Sequence, residues 1–189
     1  MRPSTAIDRS AAISALPSVT RAELEERFNR LLEANTAALS RLAASYASHV
    51  AERDDLLQDI ALALWRALPR FRGECSERTF LFRIAHNRCI SSLSKRRLSV
   101  PLDPLDTNVA DSPDPSPGTD ARLSEEQQSQ RLFEAIRQLP VVYRQVIVLA
   151  LEGLAYREIA EILGIGEGNV GARLSRARQI LKQVLKERT

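Results

Sequence analysis

The stretch Gly153–Arg178, "GLAYREIAEILGIGEGNVGARLSRAR", reads as a short helix, a glycine turn and a second helix ending in arginines. Ile159, Ala160, Ile162 and Leu163 supply one apolar face, and Gly164 is the residue type that accepts a left-handed turn without steric cost. Beyond the turn, Val170, Leu174, Ala177, Leu181 and Val184 recur at alternating helical spacings of four and three and make a second seam. Two apolar faces joined at a glycine corner define a helix-turn-helix. What the second helix leaves outside its seam is Asn169, Ala172, Arg173 and Arg176, with Arg178 closing the segment. Arginine pairs bidentately with guanine and asparagine with adenine, and either side chain also holds phosphate. A helical hairpin whose basic face is merely solvated satisfies the same spacing.

Working outward, Pro140 suits the first position of a helix over "PVVYRQVIVLALEG", and Gly153 stops it. A lead-in helix is expected near Ser124–Gln138, and the last helix should run from Glu167 nearly to the end. Upstream lies "PLDPLDTNVADSPDPSPGTD", rich in Pro and Asp and without periodicity, which reads as a linker. Before it, Leu24, Phe28, Leu31, Leu32, Leu39 and Leu42 mark a helix ending near His49. A second helix carries Leu56, Leu57, Ile60, Ala61, Leu64, Trp65 and Leu68 and ends at Pro69. Ser76 is placed to cap a third, with Phe80, Leu81, Ile84, Ala85, Cys89, Ile90 and Leu93 along it. The expected fold class is all-α: two small helical domains joined by an acidic Pro/Asp-rich linker, the second holding the helix-turn-helix. The boundaries are a loose leader over 1–18, a first domain over 19–98, a linker over 99–123 and a second domain over 124–189.

With 44% hydrophobic residues, the 189-residue chain has the composition to bury cores. No apolar run reaches the roughly 18 residues of a membrane span, so a soluble, cytoplasmic protein without membrane insertion is expected. Cys75, Cys89, His49 and His86 show no metal-ligand spacing, so neither metal nor other cofactor is expected. The net charge of +3 is segregated. Basic residues dominate Arg66–Arg97 and Arg173–Arg188, whereas Asp103, Asp106, Asp111, Asp114, Asp120, Glu125 and Glu126 face Arg122 alone between them. Two basic surfaces around an acidic connector suit two separate contacts with a polyanion.

The helix-turn-helix resembles the one shared by bacterial sigma factors and LuxR-type regulators, in "LP", "EGLAYREIA", "LGI" and "RLSRAR" at Leu139–Arg178. The N-terminal half separates the two families. "RDDLLQDIALALWRALPRFRGECSERTFLFRIAHNRCISSLSKRR" at Arg53–Arg97 is similar to region two of the extracytoplasmic-function sigma factors, and LuxR-type sensor domains have nothing of this kind. The resemblance implies a non-enzymatic promoter-specificity subunit of RNA polymerase, with core polymerase (β′ coiled-coil and β flap) and promoter DNA as partners, and an anti-sigma factor by analogy. Asp54, Asp55, Gln58 and Asp59 fall where the family docks on the β′ coiled-coil. Arg72, Arg78, Phe82, Arg83, His86, Asn87 and Arg88 are the candidates for holding the opened strand of the minus-ten element, with Phe71 anchoring its loop and Phe80 in the core. Asn169, Ala172, Arg173, Arg176 and Arg178 are the candidates for the minus-thirty-five duplex. Two residues depart from the family pattern: Ala155 stands where a serine caps the first helix, and Gly171 stands where a lysine reaches phosphate. Each substitution costs about 1 kcal/mol of helix stability. The acidic linker would thread near the polymerase active centre. The competing readings are a stand-alone LuxR-like regulator and, more distantly, a hydrolase using Asp54, Asp55 and Asp59 on a metal.

Overall fold

The computed structural model describes residues 20–99 and 120–186; the expected leader and nearly all of the linker lie outside them. Among the described residues the fold is all-helical, as the periodicities imply. The elements are α1 (Arg21–Ala44), α2 (Val50–Ala67), a 3-10 turn (Leu68–Arg70), α3 (Glu77–Ser99), α4 (Asp120–Gln138), α5 (Val141–Leu151), α6 (Tyr156–Leu163) and α7 (Glu167–Lys186).

Local chemistry sets most of the boundaries. Thr20 caps α1 in a reciprocal box, its hydroxyl accepting from the Glu23 amide while the Glu23 carboxylate accepts from the Thr20 amide at 2.7 Å. The helix ends at Ala44, five residues before the expected stop, because His49 belongs to the next element: its Nδ1 accepts from the Glu52 amide at 3.2 Å and caps α2. Ser76 caps α3 as its sequence position implies, accepting from the Thr79 amide at 2.9 Å. Pro140 precedes α5 as its N-cap and is not its first helical residue. Helix α4 starts at Asp120, inside the stretch expected to be linker. Gly153 and Gly164 turn the chain at φ +76° and +65°, a region that costs side-chain-bearing residues 1 kcal/mol or more, roughly. Ala155 gives α6 no side-chain cap, but the Glu158 carboxylate accepts from the Ala155 amide at 2.9 Å, so half of a capping box survives.

Helices α1, α2 and α3 pack together in the N-terminal half, closed around Leu42, Ile60, Leu64, Leu81 and Cys89, all fully buried. In the C-terminal half α7 lies against α4, α5 and α6 through Val170, Leu174 and Ala177. The two halves also meet: α3 packs against α6, and one apolar cluster runs through both.

Candidate nucleic-acid and polymerase interfaces

On α2, Asp54, Asp55, Gln58 and Asp59 are all exposed, with their neighbours Leu56 and Ile60 turned into the core. The alternation is that of an amphipathic helix, and it leaves an acidic outer face of side chains three and four apart. Asp54 is partly neutralised by Arg53, whose Nη2 lies 2.9 Å from its Oδ1. Leu62 continues the same face one turn past Asp59 and is 46% exposed. Leu62 is not among the site residues expected from sequence; its register seven residues after Asp55 was the available signal.

The loop into α3 turns at Gly73, φ +75°. Phe71 and Phe80 pack ring on ring at 4.6 Å, and the Arg27 guanidinium sits 5.0 Å over the Phe71 ring while its Nε binds Glu77 at 2.6 Å. The expected role of one of two aromatics is therefore overturned: Phe80 packs against the core as expected, and Phe82 does not face outward. Phe80 is half-buried at the loop, whereas Phe82 is wholly buried, with Arg78 stacked over it at 5.0 Å, and has no surface to offer a strand in this arrangement. The reason is helical phase: Phe82 is in step with Arg78 and His86, on the side of α3 that other helices cover.

The seven strand-contact candidates consequently divide. Arg72, Asn87 and Arg88 are exposed, though Arg88 lies roughly 200° round the helix from His86. Arg78, Phe82, Arg83 and His86 are covered or engaged. Arg78 donates to the Glu152 carbonyl at 2.5 Å, and Arg83 forms an ion pair with Glu161. His86 is 6% exposed, and burial pulls its imidazole down to about 4, partly opposed by the Asn87 side chain.

On α7 the exposed side chains Asn169, Ala172 and Arg176, with half-buried Arg173, form one face. Gly171 lies beside it in helical conformation, its missing Cβ pointing at Tyr156. Arg178 does not belong with them. Nine residues past Asn169, it comes out on the opposite side of the helix and lines a groove with Leu132, Ile147, Leu151, Leu181 and Lys182. Its grouping with Asn169, Ala172, Arg173 and Arg176 is corrected by that phase, which the numbering alone contains.

The comparisons follow these surfaces. Residues 31–98 match Sigma-70 region 2, and residues 129–181 match Sigma-70, region 4. The ECF RNA polymerase sigma factor SigM of Mycobacterium tuberculosis is 30% identical over 159 residues, spanning 84% of this chain and 76% of the relative. The chain belongs to the ECF RNA polymerase sigma factors. The ECF RNA polymerase sigma-E factor of Escherichia coli is 33% identical over 135 residues, 67% of this chain and 70% of that one. Among solved structures, CnrH in complex with the cytosolic domain of CnrY superposes with TM-score 0.65 at 27% identity, covering 87% of this chain and 91% of that one. The Bartonella quintana sigma factor RpoE, solved with the anti-sigma factor NepR, gives the same TM-score and identity over 85% and 98%. A sigma factor directs RNA polymerase to promoters, and with both sigma regions matched the LuxR-like alternative has no support. Among the described residues no helix is long and apolar enough to cross a membrane, and no group of three or more ligands is placed to hold a metal.

Proposed function

We propose that the acidic face of α2, through Asp54, Asp55, Gln58 and Asp59 with Leu62 beside them, docks this sigma factor on the β′ coiled-coil of core polymerase. The supporting observation is that these four polar side chains are exposed together on one face of a helix whose other face is core. Helix α3 and the loop before it then hold the opened minus-ten strand, with Arg72, Arg78, Arg83 and Asn87 as its contacts. Flipping bases out costs a few kcal/mol each, and a basic channel with stacking offsets it. Helix α7 reads the minus-thirty-five duplex through Asn169, Arg173 and Arg176. The groove beside Leu151, 55% exposed, takes the β flap.

The protein has no catalytic role in this reading: polymerase carries out the chemistry, in the cytoplasm. An anti-sigma factor is a further expected partner, since one structural relative was solved bound to an anti-sigma factor, and the other was solved with the cytosolic domain of a second protein. Purified protein added to sigma-free core polymerase should start transcription at a defined promoter, and Asp55→Arg should abolish it while leaving duplex binding by α7 intact. Full transcription by the Asp55→Arg variant removes the docking assignment.

A further inference from the structure

The basic run that ends α3 does not all face outward, because Arg96 turns back onto its own half of the chain. Its Nη1 donates to Glu52 Oε2 at 2.9 Å and to the Ser48 hydroxyl at 2.5 Å, and its Nη2 donates to the Tyr46 carbonyl at 2.9 Å. The same Glu52 oxygen accepts from the Ser48 amide at 2.6 Å, and the Glu52 amide donates to His49 Nδ1 at 3.2 Å. One guanidinium thus gathers the turn between α1 and α2, the cap of α2 and the end of α3. The Arg96 and Glu52 side chains are 34% and 19% exposed, so salt screens them less than an open surface pair. Among the described residues, Leu93 is the last apolar side chain of α3 packed on the core. Three residues further on, Arg96 takes over as an anchor.

We infer that Arg96 is a positioning residue for promoter opening: it touches no DNA, and it fixes the last turns of α3 against the helix that carries the acidic docking face. The inference rests on the reading of α3 as the strand-binding helix. Arg88, Ser91 and Lys95 follow one another by a helical turn and are all exposed, so they form an outer stripe on the stretch that Arg96 holds. Asp54 and Asp55 come two and three residues after Glu52, so the same clamp reaches the start of the docking face on α2. Polymerase held on α2 and promoter held on α3 then stand in a fixed relation. Without the clamp the end of α3 has to be ordered when the promoter is engaged, and that cost falls on the opening step.

Full-length variants, assembled with core polymerase on a linear fragment carrying a promoter selected by the parent holoenzyme, test this through permanganate reactivity of unpaired thymines. Arg96→Ala should open about three- to tenfold more slowly than the parent, the worth of roughly one net hydrogen bond. Its promoter binding should keep the parent's logarithmic salt slope, whereas loss of a phosphate contact lowers that slope by about one. Arg96→Lys keeps the charge without the planar fork and should recover only part of the rate. The exchanged pair, Arg96→Glu with Glu52→Arg, should open faster than Arg96→Glu alone, a rescue that a phosphate contact would not allow. If Arg96→Ala is unfolded by its thermal midpoint, Arg96→Lys and the exchanged pair still decide. A parent-like opening rate in Arg96→Ala overturns the inference, as does a salt slope lowered by one, or an exchanged pair no faster than Arg96→Glu. Arg72→Glu, at an exposed residue outside the clamp, tests the underlying reading separately. Lost opening there supports the loop and α3 as the strand-binding element, and parent-like opening sinks that reading whatever Arg96 does.

Discussion

Arg41 and Glu152 lie 111 residues apart in the chain and meet side-on, guanidinium to carboxylate, at 2.6 and 2.9 Å. The carboxylate is 3% exposed and the guanidinium 51%, so the bond joins the last turn of α1 to the end of α5 at the edge of the interface. The Arg41 pKa is raised chiefly by its hydrogen bond to Glu152. Removing the arginine leaves a buried carboxylate without its countercharge, which costs several kcal/mol when fully enclosed and less where one partner reaches water. Arg41→Ala should therefore lower unfolding free energy by about 1–3 kcal/mol, measured by urea denaturation. Glu152→Gln, which keeps a hydrogen-bonding group without the charge, should lose less.

The α2 face behaves oppositely. Asp55, Gln58 and Asp59 are exposed and contribute little to the fold, since surface substitutions usually change stability by about 0.5 kcal/mol or less. Asp59→Lys should leave the thermal midpoint unchanged and weaken capture of core polymerase in a pull-down. Leu62→Ala should do the same with a smaller effect, because truncating a half-exposed leucine at an interface removes area and no charge.

Gly171 is the position where α7 carries no side chain beside Ala172 and Arg173. Its backbone is helical, and an added Cβ would meet only Tyr156 Cε2 at 3.7 Å, an ordinary van der Waals distance. Gly171→Ala should stabilise α7 by about 0.5–1 kcal/mol, seen as a rise in the thermal midpoint. Gly171→Lys restores a cation beside the Arg173 face. Duplex binding should tighten and its salt dependence steepen by about one released counterion.

How much of this was legible in the sequence depends on the range of the cause. Ser76, Gly153 and Gly164 act on their own neighbours, so the corners they make follow from residue type. The phase of a helix was also available: counting from Asn169 separates Arg178 from the Arg173 and Arg176 face, and counting back three and seven residues from the core positions Ala85 and Cys89 places Phe82 under cover. The docking of α6 on α3 was not available. Arg83 and Glu161 are 78 residues apart, and neither their type nor their spacing distinguishes a pair from two solvated charges. Only the folded chain brings them together.

His86 gives the fold a pH dependence of known sign. Its folded-state pKa, about 4, lies below the ordinary 6.5, with burial as the main cause. The folded state therefore prefers the neutral ring. The stabilisation is complete above pH 6.5, falls as the unfolded chain takes up its proton below that, and is exhausted once the folded form titrates near pH 4. The loss across that window amounts to ~3 kcal/mol from this group. Urea midpoints taken between pH 7 and pH 4 should fall for the parent and fall less for His86→Leu; equal slopes would assign the dependence to other groups.

Arg27 is the residue on which the loop before α3 leans. It comes from α1, far from the loop in sequence, and spends its guanidinium twice: on Glu77 at the start of α3 by a 2.6 Å ion pair, and on the Phe71 ring at 5.0 Å. Phe71 in turn rests on Phe80. The segment from Phe71 to Glu77 is thus pinned at both ends by one side chain, with the exposed Arg72 between them. Cation–π contact and a half-exposed ion pair together contribute about 1–2 kcal/mol, enough to change loop order without unfolding the chain. Arg27→Ala should bind core polymerase normally and recognise duplex normally, yet show slower promoter opening by permanganate reactivity of unpaired thymines. Arg27→Lys keeps the charge but loses the planar stack, and should recover only part of the rate. A normal opening rate in Arg27→Ala would show that the loop holds its shape without the clamp, and that its order comes from Gly73 and the Phe71–Phe80 contact alone.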